Sequence, residues 1–225
     1  LRNSAIEYEL GLVPDSWTDM VPRDIMNKYR NPANLEEAER YPNVDWNDWM
    51  FKDYAISENV NVSIHGGTRF AKYYAAVDYQ HEGDLFKEYD NGRGYSTTYG
   101  YDRINMRSNL DFQRTKTTLL KANIAGSHGV KKGPRTDYEY NIWGSAYTTP
   151  PNVFIPRYSD GKWGYDPIDN ANNSVAQLAL AGQNTRTTTR LTTDFILEQK
   201  LDFLLKGLSA KASISWDNVF YEQNR

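Results

Sequence analysis

A chain of 225 residues with a net charge of −3 and no basic block gives no electrostatic reason for a nucleic-acid partner. Cysteine is absent, which excludes disulfide scaffolds, thiolate metal sites and cysteine nucleophiles. No apolar run reaches the ~18 residues of a spanning helix, yet 17 Tyr, 6 Trp and 8 Phe accompany a mean hydropathy of −0.76. Such a balance leaves a membrane barrel open, because a barrel strand needs an apolar residue only at every second position. The chain begins at Leu1, and its first residues lack the apolar run of a secretory signal, so it reads as an internal fragment.

Residues 1–56 read as irregular with short helices, punctuated by Pro14, Pro22, Pro32 and Pro42. Asn34 is placed to cap a helix over Leu35–Arg40, with Glu36 and Glu37 in its first turn. The period then changes to two. Val60, Val62 and Ile64 oppose Asn59, Asn61, Ser63 and His65 in a first strand, and Gly66-Gly67 reads as a hairpin turn. A second strand covers 69–81, with Ala71, Tyr73, Ala75, Val77 and Tyr79 on one face. After a polar loop comes the clearest pattern. Arg103, Asn105, Arg107, Asn109, Asp111 and Gln113 oppose Ile104, Met106, Leu110 and Phe112 over 101–114. A turn near Thr115-Lys116 leads to a fourth strand, 117–127. A long insert, 128–187, holds five prolines and a helix over Ser174–Ala181, capped by Asn173 and stopped by Gly182. Strands over 188–200 and 208–221 complete the chain.

Six strands of ~11–14 residues exceed the ~5–6 of soluble sheets and suit a tilted bilayer crossing. Short links alternate with long ones, as in outer-membrane barrels. The expected fold is therefore all-β: a segment of an antiparallel transmembrane β-barrel, with long extracellular loops that contain short helices. Residues 1–56 form an outer loop region and 57–225 a partial barrel, with outer loops 82–100 and 128–187. Apolar faces meet lipid, polar faces line a wet or plug-filled lumen, and Tyr79, Tyr101, Phe112, Trp216 and Phe220 are candidates for aromatic girdles. The alternative is a soluble, secreted β-rich module that binds glycans through its aromatic loop, since soluble sandwiches also alternate.

The run Tyr41-Pro42-Asn43-Val44-Asp45-Trp46-Asn47-Asp48-Trp49-Met50-Phe51-Lys52 resembles a segment of the SusC/RagA family of TonB-dependent outer-membrane transporters. The hairpin from Asn59 to Thr68 and from Tyr73 to Gly83 is similar to the one that follows in that family, with His65 where a Ser is usual. The strand from Arg103 to Asp111 resembles the next. The likeness is sharpest over 41–126. It implies a 22-strand barrel with a plug, in the outer membrane of a Gram-negative, Bacteroidetes-like bacterium. It further implies import of oligosaccharides or peptides driven by the TonB complex through an N-terminal part absent from this sequence, and a SusD-like surface lipoprotein as partner. Family topology makes 66–68, 115–116 and 201–207 periplasmic turns.

Trp143, Tyr147, Trp163 and Tyr165 in the insert are the candidate substrate-binding residues, because flat aromatic faces suit sugar C–H surfaces. The plainer reading is that they pack the loop against itself, since ~60 residues need a core of their own. Arg103, Asn105, Arg107, Asn109 and Asp111 form the lumen-facing or plug-contacting stripe, or else a ladder of paired charges. Asp160, Asp166 and Asp169 lack the spacing of a calcium loop and read as turn residues, and His65, His81 and His128 are too scattered for a metal. Asp45 with Asp48, or Glu36 with Glu37, read as solvated or capping groups rather than an acid/base pair. No phosphate loop, nucleophile elbow or zinc motif is present. No catalytic residue, metal or cofactor is expected.

Overall fold

The computed structural model describes residues 2–9, 20–135, 139–167 and 171–224. They fall into two compact units, Leu1–Phe51 with Tyr138–Leu178, and Lys52–Asp137 with Ala179–Arg225.

The second unit is one antiparallel sheet. Its strands are β1 (Ser57–Gly67), β2 (Ala71–Glu82), β3 (Gly100–Gln113), β4 (Thr118–Arg135), β5 (Gly182–Lys200) and β6 (Ser209–Asn224), and they lie side by side in chain order. β4 and β5 reach well past the alternating stretch read from the sequence. Their extensions pair residue for residue from Val130↔Thr187 to Arg135↔Gly182. Pro134, which cannot donate to a ladder, sits near the end of β4 opposite Gln183.

The hairpin glycines do not form the turn. Gly66 and Gly67 belong to β1 and pair with Tyr73 and Lys72, and neither has a positive φ. Their use is close approach: a Cβ on Gly67 would stand 2.8 Å from the Ala71 carbonyl oxygen. The turn is built by Thr68, whose N–H donates to the Ala71 carbonyl at 2.6 Å. The Thr68 hydroxyl oxygen accepts from the N–H groups of Phe70 and Ala71, both at 3.2 Å. Thr115 does the same between β3 and β4, accepting from Thr117 and Thr118. Gly207, at φ +86°, closes the turn from β5 to β6.

Register carries the two-face pattern across all six strands. The pairings Val62↔Val77, Val77↔Met106, Tyr73↔Leu110, Phe112↔Leu120, Leu120↔Leu197 and Phe195↔Ile214 put large apolar side chains in continuous rows on one face. Among the described residues no second sheet packs on them. Val62 is 67 % exposed, Ile104 42 %, Leu110 44 % and Ile214 74 %. Monomeric soluble proteins rarely expose so broad an apolar face. From Ile104 to Phe112 the belt runs about 27 Å along the strand, or roughly 20 Å along the membrane normal at a barrel tilt of ~40°. It ends in polar groups toward the long-loop rim. There the Tyr79 hydroxyl donates to Asp102 Oδ1 at 2.9 Å, and His81 Nδ1 lies 2.7 Å from the same oxygen. Tyr79, Phe112, Trp216 and Phe220 share the apolar face. Tyr101 does not: its parity with Arg103 sets it on the polar face, where a Cβ at Gly129 would meet its hydroxyl at 3.1 Å.

The first unit holds most of the buried apolar residues. It contains α1 (Arg2–Glu9), α2 (Arg23–Arg30), α3 (Leu35–Arg40), α4 (Trp46–Met50) and α5 (Glu139–Thr148); α6 (Ser174–Leu180) belongs to it as far as Leu178. As the sequence predicts, the Asn34 side chain caps α3 by accepting from Glu37 N–H at 2.8 Å. Asp45 caps α4 through the N–H groups of Asn47 and Asp48. That cap turns Trp46 and Met50 inward, and each fully buried side chain of this size contributes about 1.5–3 kcal/mol. Trp46 meets Phe154 edge to face at 5.4 Å and donates through Nε1 to the Pro150 carbonyl at 3.3 Å.

Candidate functional site

The polar face of the sheet concentrates the groups able to bind a solute. β2, β3 and β5 bring Tyr74, Asp78, Arg103, Asn105, Arg107 and Arg190 around one recess of about 490 Å³. A hydrogen-bonded chain runs along it: Arg103 Nε donates to Asn105 Oδ1 at 2.7 Å, and Asn105 Nδ2 donates to Asp78 Oδ1 at 2.7 Å. Asn105 is thereby fixed in orientation, with its amide bridging a cation and a carboxylate. The stripe read from β3 thus holds together as a face. Arg103, Asn105 and Arg107 share this recess. Asn109 follows, opposite Tyr74 and Asn123. Asp111 lines a separate recess of about 110 Å³ beside Lys72 and Gln113.

The stripe is not a simple ladder of paired charges. Lys121 and Glu198 pair at 3.1 Å on the same face, with Lys211 at 4.0 Å from Glu198, but no such partner within 4.0 Å is found for Arg103 or Arg107 among the described residues. Arg190 and Asp78 are the members that β3 alone does not disclose. Asp78 follows from parity on β2, whereas Arg190 enters only through the pairing Ser127↔Arg190.

The four aromatic candidates of the insert belong to the helical unit and have different surroundings. Trp143 stacks on Phe51 at 5.4 Å and 27°. Trp163 lies beneath the Arg157 guanidinium at 5.0 Å, within a small hairpin closed by the bridge Arg157↔Trp163. Tyr147 and Tyr165 are 69 % and 75 % exposed. Two of the four therefore have a ring face engaged in the unit's own packing, and two present their faces to solvent. The same unit contains a cleft of about 270 Å³ that sequence reasoning missed, lined by Tyr29, Tyr41, Trp49, Arg30 and Asn43 among others. Tyr29 and Tyr41 meet edge to face at 5.4 Å, and Lys28 Nζ stands 5.2 Å from the Tyr41 ring centre. Its only advance signal was the aromatic density of the segment around Tyr41.

The remaining polar residues have structural partners. Asp160 lies in the tip of the small hairpin. There Lys162 donates to it through backbone and ammonium, which holds the carboxyl below its ordinary value. Asp166 is buried, and Asp169 lies outside the described residues. Asn173 is tied at both ends of its amide. Its Nδ2 donates to the carbonyls of Pro156 and Gly164 at 2.8 and 2.9 Å, while its Oδ1 accepts from Ala176 N–H at 3.0 Å. His128 meets Thr189 at 2.8 Å, and Glu37 accepts from Ala33 N–H at 2.8 Å. Among the described residues no three His, Cys, Asp or Glu side chains gather as a metal site would require.

A meander of six long strands, apolar and uncovered on one side and polar on the other, is a segment of barrel wall. Solved structures of the RagAB peptide importer share this fold. The 'closed-closed' state matches 92 % of this chain at 16 % identity with a TM-score of 0.59. The 'open-open' state matches 99 % at 15 % identity with a TM-score of 0.62. A third structure, of the RagAB peptide transporter, matches 98 % at 17 % identity with a TM-score of 0.60. The chain spans 23 to 25 % of the length of those chains. No family model matches the sequence, and no curated protein matches it. What these structures share with this chain is the fold.

Proposed function

We propose that this chain is part of the wall and outer loops of an outer-membrane nutrient transporter of the SusC/RagA kind. It imports oligosaccharides or peptides, is energised by the TonB complex and works with a SusD-like lipoprotein. The observation that carries the reading is the uncovered apolar face. In water that surface is a liability, whereas in a bilayer it is the solvent contact that a barrel strand requires. The outer strands β1 and β6 support it. In lipid an open strand edge leaves N–H and C=O groups without partners, so a sheet of this kind closes into a barrel. Residues 1–56 and the loops 83–99 and 136–181 then lie on the outer side, where Tyr147 and Tyr165 are available to cargo or lid. The stripe from Arg103 to Asp111 faces the lumen. The chain binds and conducts; no chemical step is assigned to it.

The test uses the full-length transporter in its own cells. The account expects a protein of the outer-membrane fraction, and loss of uptake of fluorescent oligosaccharide or oligopeptide pools when its gene is deleted. Recovery of the protein as a soluble, monodisperse species without detergent favours the secreted binding module and refutes the transporter.

A further inference from the structure

Toward the long-loop rim, the polar face carries a second recess of about 400 Å³ whose lining is strongly cationic. Arg103 comes from β3, Lys131 from β4, and Arg186 and Arg190 from β5, with Tyr101 and Tyr221 at its sides and Ser127, Gly129 and Thr188 beneath. No carboxylate lines it. Register makes this charge density costly. Lys131 and Arg186 are direct cross-strand partners, and like charges in that position repel. Arg103 lies opposite Gly129, which in turn lies opposite Thr188, so the floor between the cations is built of small side chains. Lower on the same face the chain neutralises its lysines: Glu198 sits between Lys121 and Lys211. None of the four rim cations has an acidic partner within 4.0 Å among the described residues.

We infer that this trough is a subsite for carboxylate groups of the imported solute, so that the transporter favours acidic oligomers. The inference rests on the transport reading, which makes this face the lumen wall. The chemistry is direct. Guanidinium forks match a carboxylate bidentately, Lys131 adds a point charge, and two tyrosine hydroxyls offer further donors. An anion entering here relieves the Lys131–Arg186 repulsion, an attraction that a neutral oligomer does not gain. Carboxylates reach the site either from acidic amino-acid side chains or from uronic-acid sugars, and the recess does not separate the two.

The test measures binding by calorimetry to the full-length transporter in detergent micelles at low ionic strength. The probes are hexaglutamate against hexaglutamine, and a galacturonic-acid trimer against a neutral galactose trimer. At least one acidic probe is expected to bind ten times or more tighter than its neutral counterpart. The member of the pair that does so names the source. The preference should fall by at least tenfold in Arg186→Gln/Arg190→Gln, shrink with added salt, and persist in Lys121→Gln, whose cation lies at the other end of the face. Equal affinity for acidic and neutral probes, or equal losses for both in the double variant, overturns the subsite. So does a double variant that changes unfolding stability but leaves the preference intact, which assigns the trough to an acidic segment of the transporter itself. The two failures are distinguishable. A transporter that resides in the outer membrane and ignores charge defeats the subsite alone, whereas absence from that membrane defeats the reading beneath it.

Discussion

Ile124 sits mid-belt on β4, between Ser108 of β3 and Thr193 of β5, with its side chain on the apolar face. Its replacement by arginine separates lipid from water. In water the substitution exchanges one exposed side chain for another, and changes away from buried features stay within about 0.5 kcal/mol. At the bilayer midplane of a barrel the same change costs about 2–4 kcal/mol, falling to roughly 0–1 near the interface. At 1.4 kcal/mol per tenfold, the folded-to-unfolded ratio should drop between roughly thirtyfold and several hundredfold. Two controls share the backbone. Asn123→Arg puts the same side chain on the opposite face, beside Asn109 and Asp194, and should cost little. Tyr79→Arg lies at the rim, next to His81 and Asp102, and should fall in the interfacial range. The assay is reversible unfolding of the full-length protein in lipid vesicles by denaturant, followed by tryptophan emission. If Ile124→Arg costs no more than Asn123→Arg, the belt does not face hydrocarbon.

Asn173→Ala should open the insert, because it removes the donor to the buried Gly164 carbonyl and the acceptor for Ala176 N–H, at about 1–3 kcal/mol for each group left buried, while the Pro156 carbonyl keeps the Gly164 N–H; limited proteolysis should then cut within 149–173 faster than in the parent. Asp84 gives a pH signature. Burial is the largest influence on its carboxyl and pushes it above its ordinary value, against the N–H groups of Phe86 and Tyr99 and the nearby Lys52. A folded value above the unfolded one means that the stabilisation is complete below the ordinary aspartate value of ~3.9 and is lost as pH rises through the raised folded value. Amide exchange of the loop 83–99, where Phe86 is buried and stacked on Tyr99, should therefore slow as pH falls through that window, after correction for intrinsic rates, and Asp84→Asn should abolish the trend.

The six strands, their order and their two faces were legible because a sheet with one apolar and one polar face imposes alternation on every residue along its strands. Legibility fades where that constraint ends. Lys131-Lys132-Gly133-Pro134-Arg135 and Gln183-Asn184-Thr185-Arg186 are polar on both faces and read as loop, yet they extend β4 and β5 as a paired ladder. Gly66-Gly67 carries a genuine hairpin signal, but Thr68 supplies the turn and the glycines serve close strand contact. Tyr101 was assigned to a lipid-side girdle on residue type, and strand parity puts it on the other face. Capped helices such as Leu35–Arg40 were readable from one residue, Asn34, whereas α5 has no strong amphipathic stripe to mark it. The β3 stripe was legible as a line. Its conversion into recesses was not, because Arg103, Lys131 and Arg190 meet only through register across three strands.

The orientation of the sheet has a direct chemical readout, since the chain contains no cysteine of its own. Single cysteines at Val62, Leu110 and Ile214, and at their neighbours Asn61, Asn109 and Ser213, can be introduced into the full-length transporter in vesicles, with any cysteine outside this chain replaced by serine, and exposed to a water-soluble maleimide. The account predicts slow labelling at Val62, Leu110 and Ile214, where hydrocarbon excludes the reagent, and fast labelling at Asn61, Asn109 and Ser213. Equal rates across each neighbouring pair, or fast labelling at Leu110, would contradict it.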